Sequence, residues 1–407
     1  MMAVAVPVSL AATSVTKLLV VLCGLAVLVA GIIRRQRPAP LRQLHTPAMV
    51  VIVLAAMALS LTWTTAPGWL AVSELAKYGK LLVIPMILVL VRTRREAMIA
   101  LALYGTSQFL VVLTSYLLST GLALPWVPKT SLERLSAGTV YSSYLDQSIM
   151  TAGLAALCWH LRHEFPGRLG RNVAIAVAVT CAINVMFFLP GRSGQAALLA
   201  AFALALFWGL PARLRPAAVL APFVLIALAM AVSPSFRDRL TAVASESKAY
   251  KPGEHQLTSS GIRLNFWQRS VEAIAQNPVM GTGVGSWNTE YRRLEGNGLN
   301  PNSALVRNPH QEYLMWGVQL GVGGIALFVA FLVVMARDAL RFPTDVRHAT
   351  WSIVGILAVV CLFNSSLFDA LIGDYFCVLI GLLMALGLQA APVREPQAVG
   401  LPREVAA

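Results

Sequence analysis

Asn308-Pro309-His310-Gln311-Glu312-Tyr313-Leu314 stands where the long polar stretch at residues 233–309 gives way to an apolar run. The run over residues 313–335 carries no formal charge. His310 is therefore predicted to lie at a boundary between membrane and water. An unperturbed imidazole titrates near pH ~6.5, so a histidine placed there can accept a proton at neutral pH. A simpler interpretation is also open, in which Asn308 caps a helix whose first turn holds the following proline.

The composition is that of a membrane protein. Of the 407 residues, 57% are hydrophobic and 12% are charged, whereas an ordinary soluble domain has roughly 25% charged residues. Apolar runs long enough to cross a bilayer recur along the chain, which predicts a polytopic helical protein. The net charge of +14 is concentrated in short loops between these runs. That distribution is typical of membrane anchoring, so membrane lipids and not nucleic acid are the expected partners.

The predicted fold class is all-α, a polytopic transmembrane helical bundle of 11–12 spans. A short apolar stretch at residues 3–13 leaves open either a twelfth helix or a longer first one. Three segments are predicted: N-terminal transmembrane helices over 1–232, a periplasmic loop domain with amphipathic helices over 233–309, and C-terminal transmembrane helices with a short cytoplasmic tail over 310–407. The predicted spans are 15–33, 47–63, 73–91, 97–118, 147–161, 172–190, 194–210, 216–232, 312–336, 349–363 and 372–390.

The Lys and Arg residues predict the orientation. One set of connections, taken with the C-terminal tail, holds 17 of them, and the alternate short connections hold three. Because positive residues are retained in the cytoplasm, the first set is assigned to that side. The long polar segment then faces the periplasm of a Gram-negative inner membrane, and only His255 and His310 of the six histidines lie outside. His255 falls in a predicted turn and is the weaker candidate. The other four are expected to contact lipid headgroups: His45, His160, His163 and His348.

Arg192 is a positive residue on the side where such residues are rare. It lies in a Pro-Gly-Arg-Ser-Gly connection between two apolar spans. One interpretation is a headgroup contact, or an arginine that satisfies a helix C-terminus. The favoured interpretation is an anion site, because an arginine beside glycine, serine and free backbone N–H groups can hold a phosphate.

Two helices are predicted in the polar segment. Residues 235–245 have the spacing of an amphipathic helix that lies on the membrane. A second helix starts at 259–261 and stops before the Asn-Pro pair that follows Gln276. On it Arg263 shares a face with an aromatic neighbour four residues later. Arg269 lies six residues on, about 240° around a helix of ~3.6 residues per turn, and so points elsewhere. Arg263 is the preferred candidate of the two.

Two other patterns in the external part of the chain carry less weight. Gly281-Thr282-Gly283-Val284-Gly285 resembles a phosphate loop but follows a helix and lacks the G-K-[ST] ending, so it is predicted to be a packing turn. Asp146, Asp369 and Asp374 lie near the predicted external boundary, where acidic residues are functional suspects. No acidic pair has the spacing of a metal site or of a glycosidase, and the five cysteines form no Cys-x-x-Cys or Cys/His cluster.

Three local patterns, in their order and spacing, resemble the O-antigen ligase and polymerase superfamily. Arg192 opens a span after a Pro-Gly turn. Arg263-Leu264-Asn265-Phe266-Trp267 leads a helix that ends shortly before the glycine-rich turn. Pro309-His310-Gln311-Glu312-Tyr313-Leu314 precedes a glycine-containing span. The motifs cover roughly residues 180–390, and hydropathy alone carries the rest. The chain departs from the pattern at Gln311, where many relatives have asparagine.

The resemblance implies a function and a set of residues. It implies an O-antigen ligase, which moves a glycan from undecaprenyl diphosphate to a lipid A-core hydroxyl at the periplasmic face. His310 would be the general base, and Arg192, Arg263, Arg269 and Tyr313 would contact the substrate. No cofactor and no metal is expected, since the diphosphate already activates the donor and arginines suit its oxygens. Direct attack would invert the anomeric centre.

Several alternatives stay open beside a ligase. Within the superfamily they are polymerisation of O-antigen units and transfer of an oligosaccharide to a protein. From a different class, the alternative is a transporter or flippase for lipid-linked glycans. Transporters usually place charged residues near the bilayer midplane, within inverted repeats. Here the candidate residues gather at one external face, which favours an enzyme.

Overall fold

The computed structural model describes residues 1–34, 40–127, 138–232, 237–238, 241, 245–248, 250, 258–296 and 306–390. Within these residues the protein is an all-α bundle without a β-strand. Its helices are α1 (Met2–Ala5), α2 (Leu10–Ile33), α3 (Pro40–Gln43), α4 (Thr46–Leu59), α5 (Gly68–Tyr78), α6 (Val83–Leu90), α7 (Arg94–Ser119), α8 (Tyr144–His160), α9 (Gly167–Ile183), α10 (Arg192–Gly209), α11 (Ala217–Val232), α12 (Ser259–Gln276), α13 (Trp287–Glu295), α14 (Glu312–Asp338), α15 (Thr344–Val360) and α16 (Ala370–Ala390).

The protein is a multi-pass membrane protein. In the described part of the chain, five helices are long and apolar enough to cross a bilayer: α2, α7, α9 with its π-helical extension, α14 and α16. Helices at the other predicted spans are shorter. The predicted span 73–91 contains two helices, because a 3₁₀ turn at Gly79–Leu82 separates α5 from α6. The break is stabilised by Lys80, whose ammonium donates to the carbonyls of Phe368 and Asp369.

The N-terminal apolar stretch extends the first span. Helix α1 ends at Ala5, and α2 starts at Leu10, where the hydroxyl of Ser9 accepts a hydrogen bond from the N–H of Ala12 at 3.3 Å. The first span therefore starts five residues before the predicted 15–33. Residues 3–13 do not form a spanning helix of their own.

Helix α16 is the centre of the bundle. Most of its side chains are buried, and it packs against α2, α6, α7 and α15. By contrast, α2 buries only Thr13, Thr16 and Gly24. One ion pair joins these two helices, with the ammonium of Lys17 2.8 Å from the carboxylate of Asp374. Because Asp374 is fully buried in that pair, it is a packing residue of the core and not a group free for chemistry.

The glycine-rich turn inserts into a break in α14. At Gly321 the helix leaves helical geometry (φ 68°, ψ −159°). The carbonyls of Val318 and Gln319 accept hydrogen bonds at 2.8 and 2.9 Å from the N–H groups of Thr282 and Gly283. Non-helical backbone at membrane depth is tolerated only where protein satisfies it, and the turn does this. The prediction that residues 281–285 form a packing turn is confirmed.

Gly321→Ala should destabilise the protein by about 1–3 kcal/mol, because only glycine readily adopts this backbone conformation. A Cβ atom at this position would also lie 2.4 Å from the carbonyl oxygen of Pro278. The measurement is the thermal unfolding midpoint in detergent. Gly323→Ala is the matched control, since a Cβ there meets nothing within 4 Å. Equal midpoints for the two variants would contradict the assignment of Gly321 as the site of the break.

One histidine predicted to contact headgroups lies in the core instead. His160 is 5% exposed. Its Nε2 lies 2.9 Å from the hydroxyl of Ser352, and its ring packs against Trp208. The headgroup interpretation is wrong for this residue. The reason is that partners on α10 and α15, far away in the sequence, enclose a side chain that composition alone assigns to the surface.

Candidate active site at one end of the bundle

His310 lies on a short strap between the polar segment and α14. Its backbone is in the left-handed region (φ 53°), which is strained for a residue with a side chain. Two hydrogen bonds hold this strained backbone in place, one at His310 itself and one at Pro309. The side-chain oxygen of Asn308 accepts a hydrogen bond from the N–H of His310 at 2.9 Å, and Trp267 of α12 donates to the carbonyl of Pro309 at 3.1 Å. The face of α12 that carries Trp267 therefore holds the strap in place.

The cap of α14 is Gln311, and the helix starts at Glu312. The side-chain oxygen of Gln311 accepts a hydrogen bond from the N–H of Leu314 at 2.6 Å. The simpler interpretation of the motif, with Asn308 as the helix cap, is therefore wrong, because Asn308 instead closes a turn on His310. The glutamine that departs from the family pattern serves as the cap.

The imidazole of His310 faces a cavity of about 420 Å³. Its ring also stacks near Phe266 of α12, with ring centroids 6.2 Å apart. The first turn of α8 and the loop before α16 supply polar walls that include Asp146 and Asp369. The segment before α2 and the first residue of that helix add an apolar wall, which includes Pro7 and Leu10. The cavity therefore has a histidine, two carboxyl groups and an apolar side.

Burial and the positive charge of Arg263 lower the pKa of His310 to about 4. The imidazole is therefore neutral at pH 7, the form that can accept a proton. Burial is also the main cause that lowers the pKa of Arg263; Tyr144 opposes this shift, and the charge of Arg192 adds to it. Arg263 thus interacts electrostatically with both His310 and Arg192, although the three residues come from separate segments of the chain.

Arg192 is exposed and begins α10, whose N-terminal N–H groups form an intrinsic anion site. The glycines beside it have a structural reason: a Cβ on Gly191 or Gly194 would lie within 2.3 Å of the Ser148 hydroxyl, so both permit α10 to pack on α8. Next to Arg192, the hydroxyl of Ser193 accepts a 2.8 Å hydrogen bond from the side-chain amide of Asn364, a cavity residue in the loop before α16. The N-terminus of α10 is therefore fixed to a wall of the cavity.

Arg269 and Tyr313, which were predicted to contact the substrate, instead bind other residues of the protein. The guanidinium of Arg269 lies 2.5 Å from Glu295 and 2.7 Å from Glu272, so its charge is already neutralised. The hydroxyl of Tyr313 donates to the carbonyl of Ala358 at 3.0 Å. Like Arg192 and Arg263, neither of them lines the cavity. Their roles as substrate contacts stay predictions, and the internal bonds of Arg269 and Tyr313 favour Arg192 and Arg263 over both.

Asp369 lines the cavity, whereas the sequence indicated only that it lies near the external boundary. Burial raises its pKa to about 6, the negative charge of Asp146 adds to the rise, and Lys80 and Lys77 oppose it. Its carboxylate accepts a hydrogen bond from the side-chain amide of Asn308 at 3.3 Å. The same asparagine thus contacts both the backbone of His310 and the carboxylate of Asp369. A carboxylate in this position can accept hydrogen bonds from hydroxyl groups that enter the cavity.

Glu312 joins the strap to the loop that carries Asp369. Its fully buried carboxylate accepts hydrogen bonds from the indole of Trp316 at 2.9 Å and from the N–H groups of Leu367 and Phe368 at 3.0 and 3.3 Å. Sequence reasoning missed this residue. The available signal was an acidic residue at the first position of an otherwise uncharged span, where a buried charge needs specific partners.

No cluster in the described residues is suited to a metal ion, by the criterion of three or more His, Cys, Asp or Glu side chains placed around one point. His255 and most of the amphipathic helix predicted over 235–245 lie outside the described residues. The second predicted helix of the polar segment is confirmed as α12, with Thr258 as its cap.

The lowered pKa of His310 can be measured directly. Diethyl pyrocarbonate modifies neutral imidazole, so we expect the modification rate of His310 to reach its half-maximum at pH about 4. N-acetylhistidine should reach it near pH ~6.5. Arg263→Gln should move the midpoint for His310 upward, because it removes the second cause of the shift. Mass spectrometry of the His310 peptide gives both midpoints. A midpoint near that of free histidine would contradict the electrostatic coupling of the site.

The fold and the site together define a multi-pass helical membrane protein with a neutral histidine and two arginines at one end of the bundle. Residues 176–329 match the family model described as O-Antigen ligase. The resemblance to the O-antigen ligase superfamily is confirmed over this range, which contains Arg192, Arg263 and His310. No curated protein matches the chain. The family match supports glycosyl transfer of the ligase or polymerase type.

Proposed function

We propose that this protein is an O-antigen ligase that moves a glycan from undecaprenyl diphosphate to a hydroxyl of lipid A-core at the periplasmic face of the inner membrane. The observation that carries the proposal is a neutral His310 that lines the cavity and is electrostatically coupled to Arg263, which is coupled in turn to Arg192. The family match over residues 176–329 supports the same reaction class.

The donor diphosphate would bind between Arg192 and Arg263. Two guanidinium groups within electrostatic reach repel each other, and an anion between them converts that repulsion into attraction. Their planar donor forks match phosphate oxygens. Arg192 begins α10, so the free N–H groups of the first turn of that helix lie next to it and would add to the anion site. Charge that builds on the leaving diphosphate is therefore stabilised by groups already in place.

The acceptor hydroxyl would enter the cavity beside His310. The carboxylates of Asp369 and Asp146 can accept hydrogen bonds from neighbouring hydroxyls of the acceptor sugar and fix its orientation. The acceptor oxygen attacks the anomeric carbon, the bond from that carbon to the diphosphate oxygen breaks, and the hydroxyl proton passes to His310. The products are the ligated glycan, with inverted configuration, and undecaprenyl diphosphate.

Donor binding would also prepare the base. In the empty site, burial and the charge of Arg263 hold the pKa of His310 at about 4, which makes a weak base. A diphosphate beside Arg263 offsets that charge, so the pKa of His310 rises toward the neutral range where general bases are most effective. His310 would thus become competent when the donor is in place.

A transfer assay in detergent micelles tests the proposal and separates an enzyme from a transporter, because micelles have no two sides. Purified protein is mixed with lipid-linked O-antigen and lipid A-core. We expect equal amounts of ligated glycan and undecaprenyl diphosphate. Without ligated glycan, movement of the donor across vesicle bilayers would instead identify a transporter. Elongated glycan that remains on undecaprenyl diphosphate would identify a polymerase.

Chelation should leave this activity unchanged. Arginines occupy the place that a divalent cation would take on the diphosphate, since Arg192 and Arg263 already supply positive charge there. Initial rates with EDTA and with added Mg²⁺ or Mn²⁺ should agree within about two-fold, well below the ~10²-fold loss that removal of a charge-stabilising group causes. Loss of transfer with EDTA and recovery with Mg²⁺ would show that a metal ion holds the diphosphate.

A further inference from the structure

A second cavity lies at the opposite end of the bundle from His310. It has a volume of about 510 Å³ and opens between α2, α6 and α16. Leu10 at the start of α2 lines the His310 cavity, whereas Arg34, just past the end of α2, lines the second one. The 24 residues of α2 span about 36 Å at ~1.5 Å per residue. This length exceeds the ~30 Å hydrocarbon core of a bilayer, so the second cavity opens at the other membrane boundary.

The second cavity, called the groove below, has mainly apolar walls and a cationic rim. Arg34 follows the last turn of α2, and Arg92 follows the end of α6. Both arginines are exposed and line the same cavity. The apolar lining comes from Val27 and Ala30 of α2, from Leu88 and Val89 of α6, and from Val91 just past α6, while Gln389 of α16 adds one polar side chain.

Neither arginine has an acidic partner among the described residues. Glu96 is the acidic residue nearest to Arg92 in the sequence. Its carboxylate is part of the cap of α7 and accepts hydrogen bonds from the backbone N–H groups of Arg92 and Thr93 at 2.7 and 3.2 Å. Two guanidinium groups on one groove repel each other without a counter-anion. An anion with an apolar body fits both parts of the groove, whereas a small hydrated ion fits only the rim.

The groove also lies where α2 is least attached. The three buried residues of α2 are Thr13, Thr16 and Gly24, and none follows Gly24. A molecule that contacts Arg34 on α2 and Arg92 beyond α6 would join the free end of α2 to the rest of the bundle. The surface of α2 outside the groove is apolar and exposed, at Leu25 and Val29 for example, so an acyl chain can continue along it.

We propose that this groove binds an anionic phospholipid, with its phosphate between Arg34 and Arg92 and an acyl chain along the apolar wall. Basic pockets between transmembrane helices at the cytoplasmic boundary commonly hold such headgroups, and the Lys/Arg distribution assigns this end to the cytoplasm. The bound lipid would fasten the C-terminal end of α2. This inference is independent of the proposed glycosyl transfer, because the two sites lie at opposite ends of the bundle.

Native mass spectrometry of the purified full chain tests the proposal. The protein is incubated with dioleoylphosphatidylglycerol or dioleoylphosphatidylethanolamine, and the retained adducts are counted. We expect a tight adduct with phosphatidylglycerol that phosphatidylethanolamine does not form. Arg34→Gln with Arg92→Gln should weaken it by roughly 5-fold for each arginine removed. Arg168→Gln with Arg171→Gln is the matched control, since it removes two exposed arginines from the same predicted side, outside the groove.

Each outcome decides the proposal. Equal phosphatidylglycerol retention in the wild type and the Arg34/Arg92 variant would overturn it, as would an equal loss in the Arg168/Arg171 control. Inorganic phosphate is the third probe: if millimolar phosphate displaces the lipid completely, the groove is a site for a free anion and the lipid assignment fails. The lipid-free thermal unfolding midpoints of the two variants should agree. A large drop for the Arg34/Arg92 variant alone would show that these arginines support the fold directly and would overturn the lipid role.

Discussion

His310→Ala should slow glycan transfer by about 10²–10⁴-fold while the donor still binds, because general base catalysis contributes about that much. The side chain is half-buried beside the cavity and hydrogen bonds are made by its backbone, so its removal should leave the strap in place. The measurement pairs the initial transfer rate with the dissociation constant for lipid-linked donor, both in detergent. The turnover number should fall and the dissociation constant should stay within a few-fold of the wild-type value.

The control for this variant is chosen to separate chemistry from folding. Gln311→Ala removes the neighbouring cap of α14, whose side chain bonds to Leu314. Loss of a helix cap costs about 1 kcal/mol of stability and should leave the transfer rate within about ten-fold of the wild-type rate. A folded His310→Ala variant with wild-type turnover would show that His310 is not the general base and has only a structural role in the strap.

Arg192→Ala and Arg263→Ala should each weaken both donor affinity and turnover. A hydrogen bond to a charged group contributes about 1.5–3 kcal/mol, which is roughly ten-fold to a hundred-fold in affinity. The leaving diphosphate carries more charge in the transition state, so turnover should fall by a further ~10²-fold. Donor titrations and initial rates separate the two losses. A variant that loses turnover with unchanged donor affinity would place its arginine on the acceptor side.

Matched substitutions sharpen this test. Lysine at either position should restore only part of the lost activity, since an ammonium cannot form the two parallel hydrogen bonds of a guanidinium. Arg269→Ala is the control on the same helix as Arg263. Its guanidinium is held by Glu295 and Glu272, so its loss should lower stability more than donor affinity. If Arg269→Ala loses as much donor affinity as Arg263→Ala, Arg269 contacts the donor and its assignment as a structural residue is wrong.

Local patterns in the sequence predicted much of this structure. The Ser-Ser-Gly start and the Asn-Pro stop are local signals, and α12 lies where they place it. The spacing along that helix correctly separated Arg263, which lies within reach of His310, from Arg269, which is paired elsewhere. The run of uncharged residues after Glu312 likewise predicted α14. These features depend on helical periodicity and capping, which a single segment contains in full.

The features that sequence reasoning missed depend on contacts between distant segments. Glu312 is at the first position of a helix in the sequence, yet its carboxylate binds the backbone at Leu367 and Phe368. Asp146 and Asp369 line one cavity although most of the bundle separates them along the chain. The sequence predicted the packing turn at residues 281–285 but not the break of α14 at Gly321 that this turn fills. No local pattern predicts such pairings, because tertiary packing determines them.

Chemical rescue of a His310→Gly variant tests the central claim most directly. The cavity of about 420 Å³ beside His310 has room for a free imidazole. If His310 takes the proton of the acceptor hydroxyl, added imidazole should restore transfer in the glycine variant, in proportion to its concentration and to its neutral fraction. The same additions should have no effect on Arg192→Ala. A glycine variant that binds donor normally but shows no response to imidazole, or that already transfers glycan at the wild-type rate, would contradict the account.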